Sequence, residues 1–207
     1  MSTIKLYRHA LSGHSHRVEL FLSLLNLEVE LVDVDLLGGA HKQPDFLALN
    51  RFGQVPVLED GDTVIADSNA ILIYLATKYD ASNSWLPVHP TVVANVQRFL
   101  SVAAGPVVSG PATARLVTVF GSGQDQARAI QISHDLFAVL EGHLSDRNWL
   151  VSNRPTLAEV SNYSYIAHAP EGGVSLDAYP NLRGWLGRVE QLPGFVPMQA
   201  TAVSLAA

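Results

Sequence analysis

The chain has 207 residues, 48% of them hydrophobic, with a formal net charge of −6 and no cysteine. This length is sufficient to bury one large core or two smaller ones. The acidic balance argues against a polyanion such as DNA as partner. The lack of cysteine excludes disulfides, a thiol nucleophile on the protein and a cysteine-based zinc site. Any sulfur chemistry must therefore come from a ligand.

The sequence predicts neither a membrane span nor a cleaved leader. The longest apolar patch near the start covers residues 18–27, carries Glu19 and Asn26, and is too short to cross a bilayer. No small-residue cleavage site follows it. We expect a cytoplasmic protein whose partners include neither nucleic acid nor a membrane.

The first 80 residues alternate between strand and helix patterns. Residues 4–7 and 29–34 alternate in polarity like strands, and between them apolar residues at 18, 21, 22 and 25 recur at helical spacing. A short helix is predicted around 45–49. Strands at 55–59 and Thr63–Ala66 flank Asp60-Gly61-Asp62, a hairpin signal, and a helix covers Ser68–Tyr79. The order βαβαββα predicts a small α/β sheet.

The rest of the chain has helical patterns. Residues 81–90 hold two prolines among serine and asparagine and predict a linker. Helices are predicted at 91–108, 124–144, 156–167 and 181–191, whereas 107–120 stays ambiguous because it mixes β-branched residues with Gly110-Pro111. Thr156 and Glu159 fit a capping box. We expect an α/β domain at 1–80 and an all-helical domain at 91–207.

Pro56 lies inside Gly53-Gln54-Val55-Pro56-Val57-Leu58, which otherwise has the pattern of a buried strand. Proline has no N–H for a ladder, so it does not suit the middle of a strand. A cis Val55–Pro56 bond would bend the chain and turn the Val55 N–H and C=O outward, where they can bind another peptide. The alternative is a trans proline at a strand edge.

Ser12 stands where the first strand's loop meets the following helix. Helix N-termini favour anions, and a serine hydroxyl there can donate a hydrogen bond to a thiolate. A bond of about 1.5–3 kcal/mol lowers a thiol pKa by roughly 1–2 units, because one unit corresponds to about 1.36 kcal/mol. The thiolate is the nucleophile, so this is activation without a protein base. The alternative is that Ser12, or Ser15 three residues later, only caps the helix.

Two polar pairs are candidates for holding the charged ends of a ligand. Asp67 and Ser68 open a helix, where the serine and its N–H suit a carboxylate and the aspartate suits an ammonium group. An α-amino acid end carries both charges. His41 and Lys42 can hold a second carboxylate. The alternatives are an ordinary helix cap for the first pair and a solvated surface pair for the second.

These motifs occur in an order that resembles a known family. The stretches are Leu6-Tyr7, Leu11-Ser12-Gly13-His14-Ser15-His16-Arg17-Val18, His41-Lys42, Gln54-Val55-Pro56 and Asp67-Ser68-Asn69-Ala70-Ile71-Leu72-Ile73-Tyr74. Together they look like a cytosolic glutathione S-transferase of the serine-using classes, such as theta and zeta. The first half resembles the family's thioredoxin-like domain. In the second half, Thr156-Leu157-Ala158-Glu159-Val160 resembles the family's buried capping motif, and the chain from Tyr179 to Phe195 resembles its closing helix.

The resemblance implies a role for each matching residue. Ser12 would stabilise the glutathione thiolate, and the Val55 backbone beside cis-Pro56 would pair with the cysteinyl part. Further contacts would come from Gln54 to the peptide, from Asp67 and Ser68 to the γ-glutamyl end, and from His41 and Lys42 to the glycyl carboxylate. The resemblance also implies a homodimer, glutathione as co-substrate without a metal, and a small hydrophobic electrophile held by the helical domain near residues 102–116.

The sequence departs from the family pattern at three places. Glu159 stands where the family usually has aspartate, which lengthens the cap. Residues 92–110 contain no acidic residue, so a contact that some relatives make to the neighbouring subunit's glutathione is not transferred. The loop around Ser12 is rich in histidine, with His9, His14 and His16. Its Ser12-Gly13-His14 differs from the Ser-Ser-Cys of zeta-like sequences and argues against isomerase chemistry.

Several other activities stay open from the sequence. The same site would also suit glutathione-dependent isomerisation or peroxide reduction, or a protein that binds glutathione without catalysis. A metal site made by the three histidines is disfavoured, because residues i and i+2 of a helix point to different faces. A serine hydrolase is disfavoured because no Gly-x-Ser-x-Gly elbow is present. A dithiol oxidoreductase is excluded by the lack of cysteine.

Overall fold

The computed structural model describes residues 4–201, so both outer ends of the predicted domain ranges, at residues 1 and 207, lie outside the described residues. The chain divides into two compact units. Of the described residues, the first contains 4–83 together with Pro193–Gln199, and the second contains Ser84–Leu192 together with Ala200 and Thr201. No local sequence pattern predicts that a segment near the C-terminus belongs with the first half.

The first unit is a four-stranded mixed sheet with three helices. Its strands lie in the order β2-β1-β3-β4, with β1 parallel to β2 and antiparallel to β3, and β4 antiparallel to β3. This is the predicted order βαβαββα. Its elements are β1 (Ile4–Arg8), α1 (Gly13–Leu24), β2 (Val29–Asp33), α2 (Pro44–Leu49), β3 (Val57–Asp60), β4 (Thr63–Ala66) and α3 (Ser68–Tyr79).

The core of this unit comes from the central strands and two helices. Leu6 of β1 and Leu58 of β3 form a register pair and are fully buried. The two long helices α1 and α3 pack on each other and bury their apolar faces, because residues three or four apart in a helix share a side. The fully buried side chains of these helices include Val18, Leu20, Phe21, Leu22, Ile71, Leu72 and Leu75.

Strand β3 begins later than its apolar pattern predicts. The Val55–Pro56 peptide bond is cis, so the trans alternative is wrong. The ladder starts at Val57, which pairs with Tyr7 on one side and Ala66 on the other. Proline cannot donate to a ladder, and the cis bond turns the chain out of the sheet at this point. The predicted strand 55–59 is therefore corrected to Val57–Asp60.

Asp60 ties the end of β3 to helix α3. Its Oδ2 atom accepts hydrogen bonds from the Tyr74 hydroxyl at 2.8 Å, the Lys78 Nζ at 2.6 Å and the Tyr79 hydroxyl at 2.6 Å. Burial alone raises the pKa of Asp60, but the hydrogen bonds from Lys78 and the two tyrosines outweigh it and hold this pKa below its usual value of 3.8. The ionised carboxylate thus joins sheet and helix.

Replacing Asp60 by asparagine is expected to lower the melting temperature at neutral pH, with a loss that vanishes in acid. Because the folded-state pKa is depressed, the carboxylate stabilises the fold above its unfolded pKa, and this stabilisation is lost as the pH falls through the folded value. Melting curves of wild type and Asp60→Asn should therefore converge as the pH falls below the usual aspartate value of 3.8. The exposed Asp62 of the same hairpin supplies the control Asp62→Asn. A difference that stays constant with pH would contradict the account.

The second unit is helical throughout its regular elements. Residues 107–120, ambiguous from sequence, are helical: a π-helical turn at Val108–Ala112 leads into α5. A 3₁₀ turn, Ala169–Gly172, lies between the last two helices. The helices are α4 (Pro90–Ala104), α5 (Thr113–Phe120), α6 (Gln126–His143), α7 (Leu157–Ala167) and α8 (Pro180–Glu190).

The run Pro90–Phe120 is long and apolar enough to meet a length-and-composition test for a membrane span. Its backbone is not one continuous helix. Gly105, with φ −103° and ψ −99°, ends α4, and Gly110, with φ −98° and ψ −105°, interrupts the helix again. A helix that spans a membrane has to form hydrogen bonds between its own backbone N–H and C=O groups along its whole length. Since α4 also buries Val96, Leu100 and Ala103, one of its faces forms part of this unit's core.

Thr156 and Glu159 form a capping box at the start of α7. Glu159 is fully buried, and its carboxylate accepts hydrogen bonds from the Leu150 N–H at 2.6 Å, the Thr156 N–H at 2.6 Å and the Thr156 hydroxyl at 2.9 Å. Burial raises the pKa of Glu159, and these hydrogen bonds oppose that rise. The carboxylate thus joins the preceding loop to the helix start.

A buried ion pair anchors the last described residue of the chain. The Glu171 carboxylate accepts from the Arg115 Nε at 2.6 Å and lies 2.6 Å from the His168 Nδ1. The Thr201 hydroxyl also donates to it at 2.9 Å. Arg115 is only 2% exposed. Because a buried charge is costly unless paired, this cluster fixes α5, the 3₁₀ turn and residue 201 together.

Candidate functional site

The sheet register of the first unit brings the predicted site residues to one end. Tyr7, Val57 and Ala66 form one row across β1, β3 and β4. The residues just beyond this row are the loop leading to Ser12, the Val55–Pro56 pair, and the start of α3. Three segments far apart in sequence therefore meet at the same end of the sheet.

Ser12 is the N-cap of α1. Its Oγ accepts a hydrogen bond from the Ser15 N–H at 3.2 Å, and its carbonyl accepts from the His16 N–H at 2.9 Å. The Ser15 hydroxyl accepts from the His9 N–H at 3.3 Å. A capping serine uses its oxygen as acceptor and keeps its own proton, so Ser12 can cap the helix and still donate to an anion.

The loop before cis-Pro56 is held in place by Asn50. The buried Asn50 side chain donates to the Gln54 carbonyl at 2.8 Å and accepts from the Phe52 N–H at 3.1 Å. Gln54 is exposed and Val55 partly buried. Among residues 4–201 the Val55 N–H and C=O have no hydrogen-bond partner. The loop thus presents free main-chain groups, as a peptide-binding edge requires.

The structure brings His41 and Lys42 to this same loop. The Lys42 Nζ donates to the Gly53 carbonyl at 3.0 Å and to the Phe52 carbonyl at 3.3 Å. Gly53 has φ +58°, and a Cβ there would lie 2.7 Å from the His41 carbonyl oxygen, so only glycine fits this close approach. The His41 Nδ1 is buried without a hydrogen-bond partner within the described residues. The Lys42 cation therefore stands against Gly53, next to Gln54, and the His41 main chain approaches the same loop.

The start of α3 carries the second predicted pair. Asp67 is the N-cap of α3 and accepts from the Ala70 N–H at 2.9 Å. Its backbone, at φ 75° and ψ 122°, lies in a region that disfavours side chains, and such strain is concentrated at ligand sites. Ser68 is 4% exposed, and its hydroxyl oxygen accepts from the Arg17 guanidinium at 3.2 Å. The start of α3 thus combines a strained backbone at Asp67 with the positive charge of Arg17 beside Ser68.

Arg17 and His14 join α1 to α3. Arg17 is 1% exposed and also donates to the Asn69 side chain at 3.0 Å, so it packs inside the unit. The His14 Nδ1 lies 3.5 Å from the Ser68 hydroxyl. Burial, and secondarily the charge of Arg17, lower the pKa of His14 to about 3. His14 is therefore neutral at physiological pH, and Arg17 supplies the positive charge here.

Sequence reasoning missed the roles of Asn50 and Arg17. A signal existed for Arg17, because it shares a helical face with the buried Phe21 and Leu20, where a charged side chain must find partners. Asn50 precedes Gly53 by three residues, a spacing typical of turns built on an asparagine side chain. Neither signal identifies the hydrogen-bond partners, and those of Arg17 come from a distant part of the chain.

The three histidines near Ser12 do not form a cluster. His14 lies against Ser68 and the His16 Nε2 lies 2.9 Å from the Val196 carbonyl, whereas the His9 Nδ1 accepts from the Leu11 N–H at 3.3 Å. Throughout the described residues 4–201, no three side chains of the metal-binding types come together. Each of these histidines has a separate structural partner.

The arrangement suits a peptide that carries a thiol and two charged ends. It combines a hydroxyl at the N-terminus of α1, free main-chain groups beside a cis-proline, and a positive helix start. Helix N-termini stabilise negative charge, and a thiolate is an anion. The fold and the site thus define a thioredoxin-like protein that gathers a hydroxyl, main-chain groups and a cation at one end of its sheet.

Comparison with known proteins agrees with this class. The family model "Glutathione S-transferase, N-terminal domain" matches residues 2–77, and "Glutathione S-transferase, C-terminal domain" matches residues 106–193. The chain belongs to the glutathione S-transferase family, and it is a glutathione transferase with the thioredoxin-like and helical domains of that fold.

Individual relatives cover nearly the whole chain. Glutathione S-transferase 3 of Zea mays is 34% identical over 94% of this chain and 92% of its own length. Maleylacetoacetate isomerase of Pseudomonas aeruginosa is 32% identical over 87% of this chain and 88% of its own length. A crystal structure of a possible glutathione S-transferase from Rhodopseudomonas palustris superposes with a TM-score of 0.89 at 31% identity, covering 97% of this chain and 100% of that one.

Proposed function

We propose that Ser12 donates a hydrogen bond to the thiolate of glutathione, which then attacks a small hydrophobic electrophile. The observation that carries this assignment is the cap geometry of α1. The Ser12 oxygen accepts from Ser15, which leaves the hydroxyl proton for the ligand. A hydrogen bond to the thiolate and the helix N-terminus both favour the ionised form, so the thiol is a stronger acid when bound.

The rest of glutathione is assigned by charge and by main-chain pairing. The Val55 N–H and C=O pair with the cysteinyl unit, and Gln54 contacts the same peptide. The γ-glutamyl carboxylate binds the N–H and hydroxyl of Ser68, and its ammonium group binds Asp67. His41 and Lys42 receive the glycyl carboxylate. Support for these roles comes from the common location of the six residues at one end of the sheet.

We propose the remaining properties of the enzyme because they are typical of the glutathione S-transferase family. The enzyme acts as a cytoplasmic homodimer without a metal, in the detoxification of electrophiles, and the electrophile is held by the helical unit near residues 102–116. Transfer is proposed rather than the isomerisation named for the Pseudomonas aeruginosa relative. The reason is that the turn reads Ser12-Gly13-His14 rather than the Ser-Ser-Cys of zeta-like sequences.

Turnover with two thiols tests the proposed function. We expect the enzyme to accelerate the reaction of glutathione with an activated aryl halide well above the uncatalysed rate. N-acetylcysteine has the thiol but neither the γ-glutamyl ammonium nor the glycyl unit, so its reaction should stay near the uncatalysed rate. Background rates with both thiols would overturn the proposal. Calorimetric binding of glutathione without turnover would favour the non-catalytic alternative.

A further inference from the structure

The segment Pro193–Gln199, here called the C-terminal strap, lies with the first unit although it follows the last helix of the second. It is fixed at three points. The Val196 carbonyl accepts from the His16 Nε2 at 2.9 Å, and Met198 is only 5% exposed. Gly194 has φ +86°, and a Cβ there would lie 2.8 Å from the Ser23 carbonyl oxygen. The strap therefore contacts both the first and the last turn of α1.

His16 connects the strap to the backbone of Ser12. It is 3% exposed, and its backbone N–H donates to the Ser12 carbonyl at 2.9 Å in the first turn of α1. The neighbouring Ser15 N–H donates to the Ser12 hydroxyl at 3.2 Å. One residue thus binds the strap through its side chain and Ser12 through its main chain.

We propose that His16 is a positioning residue for the transferase reaction: by binding the Val196 carbonyl, it lets the C-terminal strap hold the first turn of α1, and with it the Ser12 hydroxyl. This inference rests on the proposed role of Ser12 in activating glutathione. It adds that the activating geometry depends on a segment about 180 residues away in sequence, which the hydrogen bond between residues 16 and 196 brings to the helix.

The chemistry of this contact explains why a histidine suits the position. A carbonyl oxygen only accepts, so the Nε2 must carry a proton. Without the imidazole the Val196 carbonyl loses its donor and the strap loses the anchor next to Ser12. The Gly194 contact at the last turn of α1 and the burial of Met198 would remain, but the hydrogen bond at the first turn would be lost, and that turn would open more often.

Amide hydrogen exchange tests whether the strap stabilises the first turn of α1 around Ser12, and it requires no catalysis. In His16→Ala, we expect amides in the peptide covering residues 10–20 to exchange about tenfold faster than in wild type. His16→Gln, whose amide can still donate to the carbonyl, should stay within about threefold. The exposed His89, which makes no cap hydrogen bond, provides the matched control His89→Ala. Unchanged exchange in His16→Ala would overturn the proposal, as would equal acceleration in every peptide of the chain.

Titration of bound glutathione tests the consequence for the reaction. We expect the thiol pKa to rise in His16→Ala by about half to one unit, while affinity for S-methylglutathione changes less than about threefold. A thiol pKa equal to that of wild type would overturn the positioning role. If the wild-type enzyme itself fails to lower the thiol pKa, the proposed function of Ser12 fails. The exchange result still decides whether the strap holds the turn.

A second variant covers the case in which His16→Ala does not fold. Gly194→Ala places a methyl group against the Ser23 carbonyl and displaces the strap while leaving the His16 side chain intact. We expect the same faster exchange around Ser12 and the same rise of the thiol pKa. Normal exchange and a normal thiol pKa in a folded Gly194→Ala protein would overturn the proposal.

Discussion

Ser12→Ala is expected to lower kcat/KM for glutathione conjugation by about four- to twelvefold at about pH 6. The lost hydrogen bond raises the thiol pKa by roughly 1–2 units, which lowers the thiolate fraction about ten- to a hundredfold. The more basic thiolate is also the stronger nucleophile, and a Brønsted slope of about 0.45 recovers nearly half of that loss on a logarithmic scale. The net factor follows from these two opposing effects.

The difference in kcat/KM between wild type and Ser12→Ala should depend on pH and then reverse. Above both thiol pKa values the two enzymes bind only thiolate, and the unshielded thiolate of Ser12→Ala should react about threefold faster or more. The two pH–rate profiles should therefore cross. Ser15→Ala serves as the matched control, because the Ser15 hydroxyl accepts from the His9 N–H and is not the cap of α1. Parallel profiles at all pH values would contradict a role in thiol ionisation.

Glu159→Ala is expected to cost about 3–5 kcal/mol of the free energy of unfolding. The substitution leaves the buried N–H groups of Leu150 and Thr156 without acceptors, at roughly 1–3 kcal/mol each, and also removes the bond to the Thr156 hydroxyl. For a chain of this size the melting temperature should fall by about 10 °C. Thermal unfolding of the purified variant measures the effect.

Two milder variants show what the carboxylate contributes. Glu159→Asp restores the family's usual residue but is one methylene shorter, so it should lose one of the two backbone contacts and melt between wild type and Glu159→Ala. Glu159→Gln removes the buried charge but turns an NH₂ group toward one of the N–H donors, so it should also melt between them. A melting temperature for Glu159→Ala within about 2 °C of wild type would contradict this account.

Much of the first unit follows from the sequence because its signals are local. The alternating strands, the Asp60-Gly61-Asp62 hairpin and the caps before α1 and α3 each depend on a few neighbouring residues. Pro56, within an apolar strand pattern, indicated a possible cis bond, and the Val55–Pro56 bond is cis. The register of β1, β3 and β4 then brings the predicted site residues together. In an antiparallel pair, the end of one strand lies beside the start of its neighbour.

The features that sequence reasoning missed depend on distant partners. The strap packs on α1 through residues 16 and 196, and no periodicity links residues so far apart. Arg17 binds Ser68 and Asn69, which lie 51 and 52 residues further along the chain. Residues 107–120 stayed ambiguous because β-branched side chains and Gly110-Pro111 disfavour a regular helix. The structure accommodates them in a π-helical turn followed by α5.

We propose that the protein ionises the thiol of glutathione through Ser12. The most direct measurement is thiolate absorbance of bound glutathione as a function of pH, for wild type and Ser12→Ala. We expect a thiol pKa about one unit or more below that of free glutathione in wild type, and a value close to the free one in Ser12→Ala. Equal thiol pKa values in the two proteins would contradict the account.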